Sequence, residues 1–111
     1  MRTIQITSTD FIPGYEIVEV IDVARGSTVR ARHVGRDILA GLKNIVGGEI
    51  TSYTDLMAQA REQAIDRMVA DAESIGADAV INVRFMTAQV MQMASEILAY
   101  GTAAKIRKIQ E

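Results

Sequence analysis

Between Glu16 and Ala24 the apolar residues alternate onto both sides of the chain. Ile17, Ile21 and Val23 share one side with Glu19, while Val18, Val20 and Ala24 share the other with Glu16 and Asp22. Such a run predicts a strand with two largely apolar faces. Upstream, the stretch from Gln5 onward reads as strand, turn, strand. Ile12-Pro13-Gly14-Tyr15 supplies the turn, because proline presets φ and the glycine after it accepts φ > 0. Gly26-Ser27 predicts a hairpin turn or bulge, with Thr28–His33 as a further strand segment.

The spacing then changes from two to between three and four. Ile38, Leu39, Leu42, Ile45 and Val46 predict a short amphipathic helix over 37–46, capped by Asp37 and terminated by Gly47-Gly48. A second, longer helix is expected from a Ser52 or Thr54 cap up to Gly76, since no glycine or proline interrupts it. Met57, Ala60, Ala64, Met68 and Ile75 form its apolar stripe, and Asp55, Glu62, Asp66 and Glu73 define the wet side. Arg61 and Asp71 fall on the apolar side, where they either reach the rim or meet opposite charges from the sheet or a neighbouring chain.

Period two returns after Gly76. Ala79, Ile81, Val83 and Phe85 alternate with Val80, Asn82 and Arg84, and a last strand over 96–106 sets Ile97, Ala99 and Ala103 against Leu98, Tyr100, Ala104 and Ile106. The expected class is α+β: a small antiparallel sheet with one long helix packed on it plus a short helix. One long helix covers one sheet face, and the apolar surface left over predicts self-association. The alternative is a monomer in which the short helix and the N-terminal segment fold over that face.

With 111 residues the chain is expected to be a single domain spanning 1–111. It has no cysteine, which removes disulfides, thiolate metal sites and cysteine nucleophiles. No basic start leads into an apolar core of signal-peptide type and no apolar run is long enough to span a bilayer, so the default reading is a cytoplasmic chain with no membrane partner. The net charge of −2 conceals an asymmetry: four of the 12 basic residues, and none of the 14 acids, lie between Arg25 and Arg36.

That segment also holds the single histidine, His33. Arg30, Arg32, His33, Gly35, Arg36 and Asp37 are the candidate ligand-binding residues, for guanidinium forks, close backbone approach at Gly35 and a helix start all favour a carboxylate or phosphate. The competing explanation pairs these arginines with Glu16, Glu19, Asp22 or a neighbouring subunit. Catalysis by His33 would need a nucleophile and an orienting acid, for which the sequence offers only Asp37 and scattered serines, so no catalytic residue is assigned. The candidate metal ligands are His33, Met91 and Met93, thioethers favouring soft ions, although methionine more commonly fills gaps in a core. No phosphate-loop spacing occurs at Gly41 or Gly47-Gly48. With three tyrosines, two phenylalanines and no tryptophan, the chain lacks the stacking platform of a nucleic-acid binder.

Three blocks carry a resemblance: IPGYE from Ile12, TVRARHVGRDILAGLKNIVGGEI from Thr28, and GADAVINVRF followed by EILAYGTA. Together they make the chain similar to the YbjQ-like family, uncharacterised proteins described as heavy-metal-binding. The resemblance implies a dodecin-like/YbjQ-like subunit in a ring-like β/α-propeller oligomer, a homopentamer. It places family motif residues on Arg30, Arg32, His33, Gly35, Arg36 and Asp37, and on Asn82, Arg84, Glu96 and Tyr100, without giving them a role. Met91 fits the family pattern, whereas Met93 stands where a glycine is expected. The resulting expectation is a homo-oligomeric binding protein that takes a small anionic or aromatic ligand at subunit interfaces, its cofactor unspecified. The alternative is a heavy-metal-binding protein whose sites are gathered by symmetry.

Overall fold

The structure is a computed structural model and describes residues 4–31, 45–46, 49–91 and 94–110. Strands β1 (Gln5–Ile6), β2 (Tyr15–Ala31), β3 (Ile45–Val46) and β4 (Glu49–Ile50) precede helix α1 (Thr51–Ser74), which is followed by β5 (Ala79–Met91) and β6 (Ala94–Lys108). Four strands form one sheet in the order β1-β5-β6-β2. It is mixed rather than antiparallel, because β1 runs parallel to β5 while β2 and β5 both run antiparallel to β6. The long ribbons make the molecule extended, 58 × 28 × 21 Å, with a radius of gyration of 17.4 Å. A compact chain of 100 residues has about 13 Å.

Helix α1 lies across β2 and β6, as its apolar stripe predicts. Ala60, Ala64, Met68, Val69 and Ala72 meet Ala24, Val80, Ile97, Ala99 and Ala103 in one buried cluster. The predicted wet residues Asp55, Glu62, Asp66 and Glu73 are all exposed. The helix starts at Thr51, so Ser52 and Thr54 sit inside it rather than at its cap. Ile75 lies beyond its last residue and is exposed. Its end is a Schellman closure: Gly76 N donates to Glu73 O at 3.1 Å and Ala77 N to Ala72 O at 3.1 Å, with Gly76 at φ +81°.

Strand β2 runs unbroken and in register through Gly26, where a hairpin turn or bulge is the expectation. The glycine serves close approach instead. A Cβ there would lie 2.5 Å from Ala64 O and 2.6 Å from Arg67 C, so the helix backbone rests directly on the strand. Two bulges, between Ile17 and Glu19 and between Val20 and Asp22, re-sort the faces of β2. Register with β6 puts Ala24, Gly26 and Thr28 under the helix, and Ile17, Val20, Val23, Arg25, Ser27 and Val29 on the opposite, open face.

A third irregularity sits in β5, where Asn82 takes φ 55° and the register slips between Ile81 and Arg84. Asparagine is among the few residues that visit this left-handed region readily. The strict alternation expected for this strand therefore fails at Asn82. Val80 and Val83 both pack toward the helix, while Ala79 and Ile81 join Ile12, Tyr15 and Ile106 in a second cluster. That cluster is where the N-terminal segment folds over the open face, its turn closed by Tyr15 N donating to Ile12 O at 3.0 Å.

The short helix expected over 37–46 is contradicted at its end. Ile45 and Val46 are extended and pair with Ile50 and Glu49. The two residues between these strands are Gly47 and Gly48, and Gly-Gly is a hairpin signal as well as a helix stop. Residues 37–44 lie outside the described residues.

Thr28 is 2% exposed and its hydroxyl oxygen has no hydrogen-bond partner among the described residues. Replacing both the hydroxyl and its cost with an isosteric methyl is near neutral or favourable in such a setting. Thr28→Val is expected to leave stability unchanged or raise it by up to about 1 kcal/mol, read from the midpoint of a urea melt. A loss of stability would mean that the hydroxyl is bonded after all.

Candidate functional site

The candidate ligand-binding residues fall almost entirely outside the described part of the chain. Arg30 is in β2, paired through its backbone with Ser95, but its side chain is not described. Arg32, His33, Gly35, Arg36 and Asp37 lie outside the described residues, as does Met93. Met91 pairs with Ala94 at the end of β5. Of the acids weighed as partners for the arginines, Glu16 is held by Arg107 at 2.6 Å, and Asp22 Oδ1 accepts from Val23 N at 2.7 Å.

The described residues build a different constellation on the open face. Residues paired in register share a face, so the ladder sets side chains in rows that cross three strands. One row is Arg25, Tyr100 and Arg84; the next is Ser27, Leu98 and Met86; a third is Val29, Glu96 and Ala88. Above the first, Val23 pairs with Thr102. Val23, Val29 and Met86 are 53%, 57% and 54% exposed, large values for apolar side chains on one sheet face.

The edges of this face are treated unequally. Asp71, half-buried on α1, accepts from Arg25 N at 3.0 Å, and Arg67 Nη1 donates to Ser27 O at 2.6 Å. Two outward-pointing backbone groups of edge strand β2 are thereby occupied by the helix, which blocks strand addition along this stretch. The expectation that Asp71 snorkels or meets a cation is replaced by this bond to a backbone amide. Arg61 is exposed.

On the other side, the segment 7–9 runs along β5. Val83 N donates to Thr7 O at 3.0 Å and Asn82 N to Thr9 O at 2.9 Å. Arg84 Nη1 donates to Ser8 O at 2.8 Å and to Val83 O at 2.9 Å, which fixes one corner of its fork and leaves the other nitrogens uncommitted. Neither the Arg25 guanidinium nor the Tyr100 hydroxyl has a partner among the described residues. The sequence offered Arg25 only as part of a basic segment and gave no reason to join it to residues 59 and 75 positions away, because register across strands is not a local property.

Comparison with known proteins follows from this fold. Residues 4–107 match the profile of a family described as "Putative heavy-metal-binding", YbjQ. The chain belongs to the YbjQ family. It is 59% identical over 101 residues to a UPF0145 protein of Methanosarcina acetivorans, covering 91% of this chain and 95% of that one. It is 56% identical over 106 residues to a UPF0145 protein of Archaeoglobus fulgidus, covering 96% and 98%. The crystal structure of a protein of unknown function of the DUF74 family from Pediococcus pentosaceus shares the fold with a TM-score of 0.61 at 18% identity, covering 94% of this chain and 98% of that one.

The metal in the YbjQ description can be tested on the donor set. Among the described residues no group of three or more His, Asp or Glu side chains comes together, and the chain has no cysteine. The described part of this YbjQ chain therefore does not fit a heavy-metal site, for which thiolate or imidazole donors are the rule. No helix among the described residues is long and apolar enough to cross a membrane.

Proposed function

We propose that this chain is a self-associating binding module that takes a small anionic or aromatic ligand at the contacts between its copies. The observation that carries the reading is the open face of the sheet. Val20, Val23, Val29 and Met86 are exposed along it, and among the described residues cover is seen at the corner around Ile12. A second copy of the chain is the occupant that this exposed apolar surface favours, since large open apolar patches are uncommon on monomers. Contact between different faces of successive copies is head-to-tail, and it closes into a ring where the rotation between copies allows. The homopentamer implied by the family resemblance is one such ring, and Arg30, Arg32, His33 and Arg36 are the groups read from the sequence as facing the ligand.

A second reading follows from the family description: heavy-metal binding with His33, Met91 and Met93 brought together by symmetry. Native mass spectrometry separates the two. The expected spectrum shows multiples of 12.1 kDa, and Val23→Asp together with Val29→Asp is expected to reduce it to single folded chains, since two buried unpaired carboxylates are strongly unfavourable. A folded wild-type chain that stays at 12.1 kDa at micromolar concentration would overturn self-association. A retained metal mass removed by chelator would favour the second reading.

A further inference from the structure

We propose that the cross-strand row Arg25, Tyr100 and Arg84 is a binding site for a small organic oxyanion, a phosphate or carboxylate joined to a flat apolar body. The inference deepens the proposed function by naming residues and a ligand class. It shares with that reading an anionic ligand held by arginines, but all three residues come from one chain, so it does not need self-association.

Four observations support the assignment. The pairings Arg25 with Tyr100 and Arg84 with Tyr100 place two guanidinium-bearing residues on one face with a phenol between them. Paired Cα atoms are about 5 Å apart across a ladder, so the two arginine Cα atoms are about 10 Å apart. Side chains of this length span that gap, so both guanidinium groups reach one oxyanion above the ring once Arg84 swings from the carbonyls of Ser8 and Val83 toward Tyr100, where the phenol adds a third donor.

Secondly, part of this site is already braced. The bond from Arg25 N to Asp71 fixes the backbone from which that arginine springs, while the bonds from Arg84 Nη1 to Ser8 O and Val83 O hold the other guanidinium on the β1 side of β5 and leave its remaining nitrogens without a partner among the described residues. Bracing of this kind lowers the entropy lost on binding.

Thirdly, among the described residues no acid neutralises the row. The acid placed on this face by the register is Glu96, four residues from Tyr100 along β6 and thus about 13 Å away. Asp71 meets β2 at its edge through the Arg25 amide, and Glu16 is engaged by Arg107. Fourthly, the adjoining rows supply an apolar floor, Leu98 and Met86 on one side and Val23 on the other. An oxyanion alone would leave that floor wet. One attached to a ring would cover it, as ligand sites typically combine a few polar anchors with apolar lining.

The test titrates the full-length protein with phenyl phosphate, inorganic phosphate and phenol, following backbone amides of β5 and β6 by NMR. Phenyl phosphate is expected to bind at least about tenfold more tightly than either fragment probe and to shift the amides around Arg84 and Tyr100. Arg25→Gln should weaken phenyl phosphate about tenfold or more, the loss typical of one charge-assisted contact, and Tyr100→Phe a few-fold. Arg61→Gln removes the same charge from the helix side and should leave binding unchanged. Equal effects of Arg25→Gln and Arg61→Gln, or binding of phenol as tight as that of phenyl phosphate, would overturn the site. A change of assembly mass in Arg25→Gln would also overturn it by making Arg25 a subunit contact. A wild-type chain that is monomeric yet binds phenyl phosphate in this pattern would retain the site while refuting self-association.

Discussion

Gly26→Ala is expected to lower the melting temperature by about 12 °C or more. In an ordinary strand position the exchange would help, because alanine restricts the unfolded chain and gains about 0.4–1 kcal/mol. Here the added Cβ would meet the backbone of α1, with Ala64 O at 2.5 Å and Arg67 C at 2.6 Å. Backbone atoms cannot rotate away as a side-chain tip can, so the helix must lift from the sheet. Lifting it loosens the contacts of Ala60, Ala64 and Met68 with Ala24 and Ala99 together. Overpacking costs about 1–3 kcal/mol even where side chains can yield, and a clash with backbone belongs at or beyond the upper end. For a domain of this size each kcal/mol moves the midpoint by about 4 °C or more. Calorimetry of Gly26→Ala and Gly26→Val should show a graded loss, the valine variant being the worse. A midpoint within about 2 °C of wild type in both would refute the close approach of helix and strand.

The second large effect is expected at Met68, the largest completely buried side chain among the described residues. Met68→Ala empties a site walled largely by alanines, whose short side chains cannot lean in to close it. The cost should fall at about 2–5 kcal/mol, whereas Met68→Leu, which conserves volume, should cost less than about 1.5 kcal/mol. Denaturant melts of the two variants check this. Equal losses would mean that shape rather than volume dominates at that position.

These two residues also mark how far the fold could be read in advance. Met68 was legible, because helical spacing puts it in line with Ala60 and Ala64, and the uninterrupted stretch up to Gly76 allowed no other structure. The faces of β6 were legible for the same reason, since strict alternation of Ile97, Ala99 and Ala103 survived intact. Gly26 reads as a turn or bulge from the sequence because glycine marks turns, bulges and close approaches alike, and only the position of the helix distinguishes them. The faces of β2 and β5 were misread because each bulge inverts the alternation beyond it. Of the candidate site, the basic segment was visible as a charge asymmetry. The row on the open face was not, because it depends on three strands whose relative register is set by bulges at Ile17–Glu19, Val20–Asp22 and Ile81–Arg84.

By itself the amino-acid sequence determined the local periods: a long amphipathic helix ended by Gly76, extended segments on both sides of it, and more apolar strand surface than that helix could shelter. These are properties of neighbouring residues, set by backbone geometry and burial. Tertiary structure alone decided which strands became neighbours, which glycine lay beneath the helix, and which distant arginines came to flank Tyr100. Such choices depend on the packing of whole elements against one another, and a single inserted residue changes the face on which every later side chain stands.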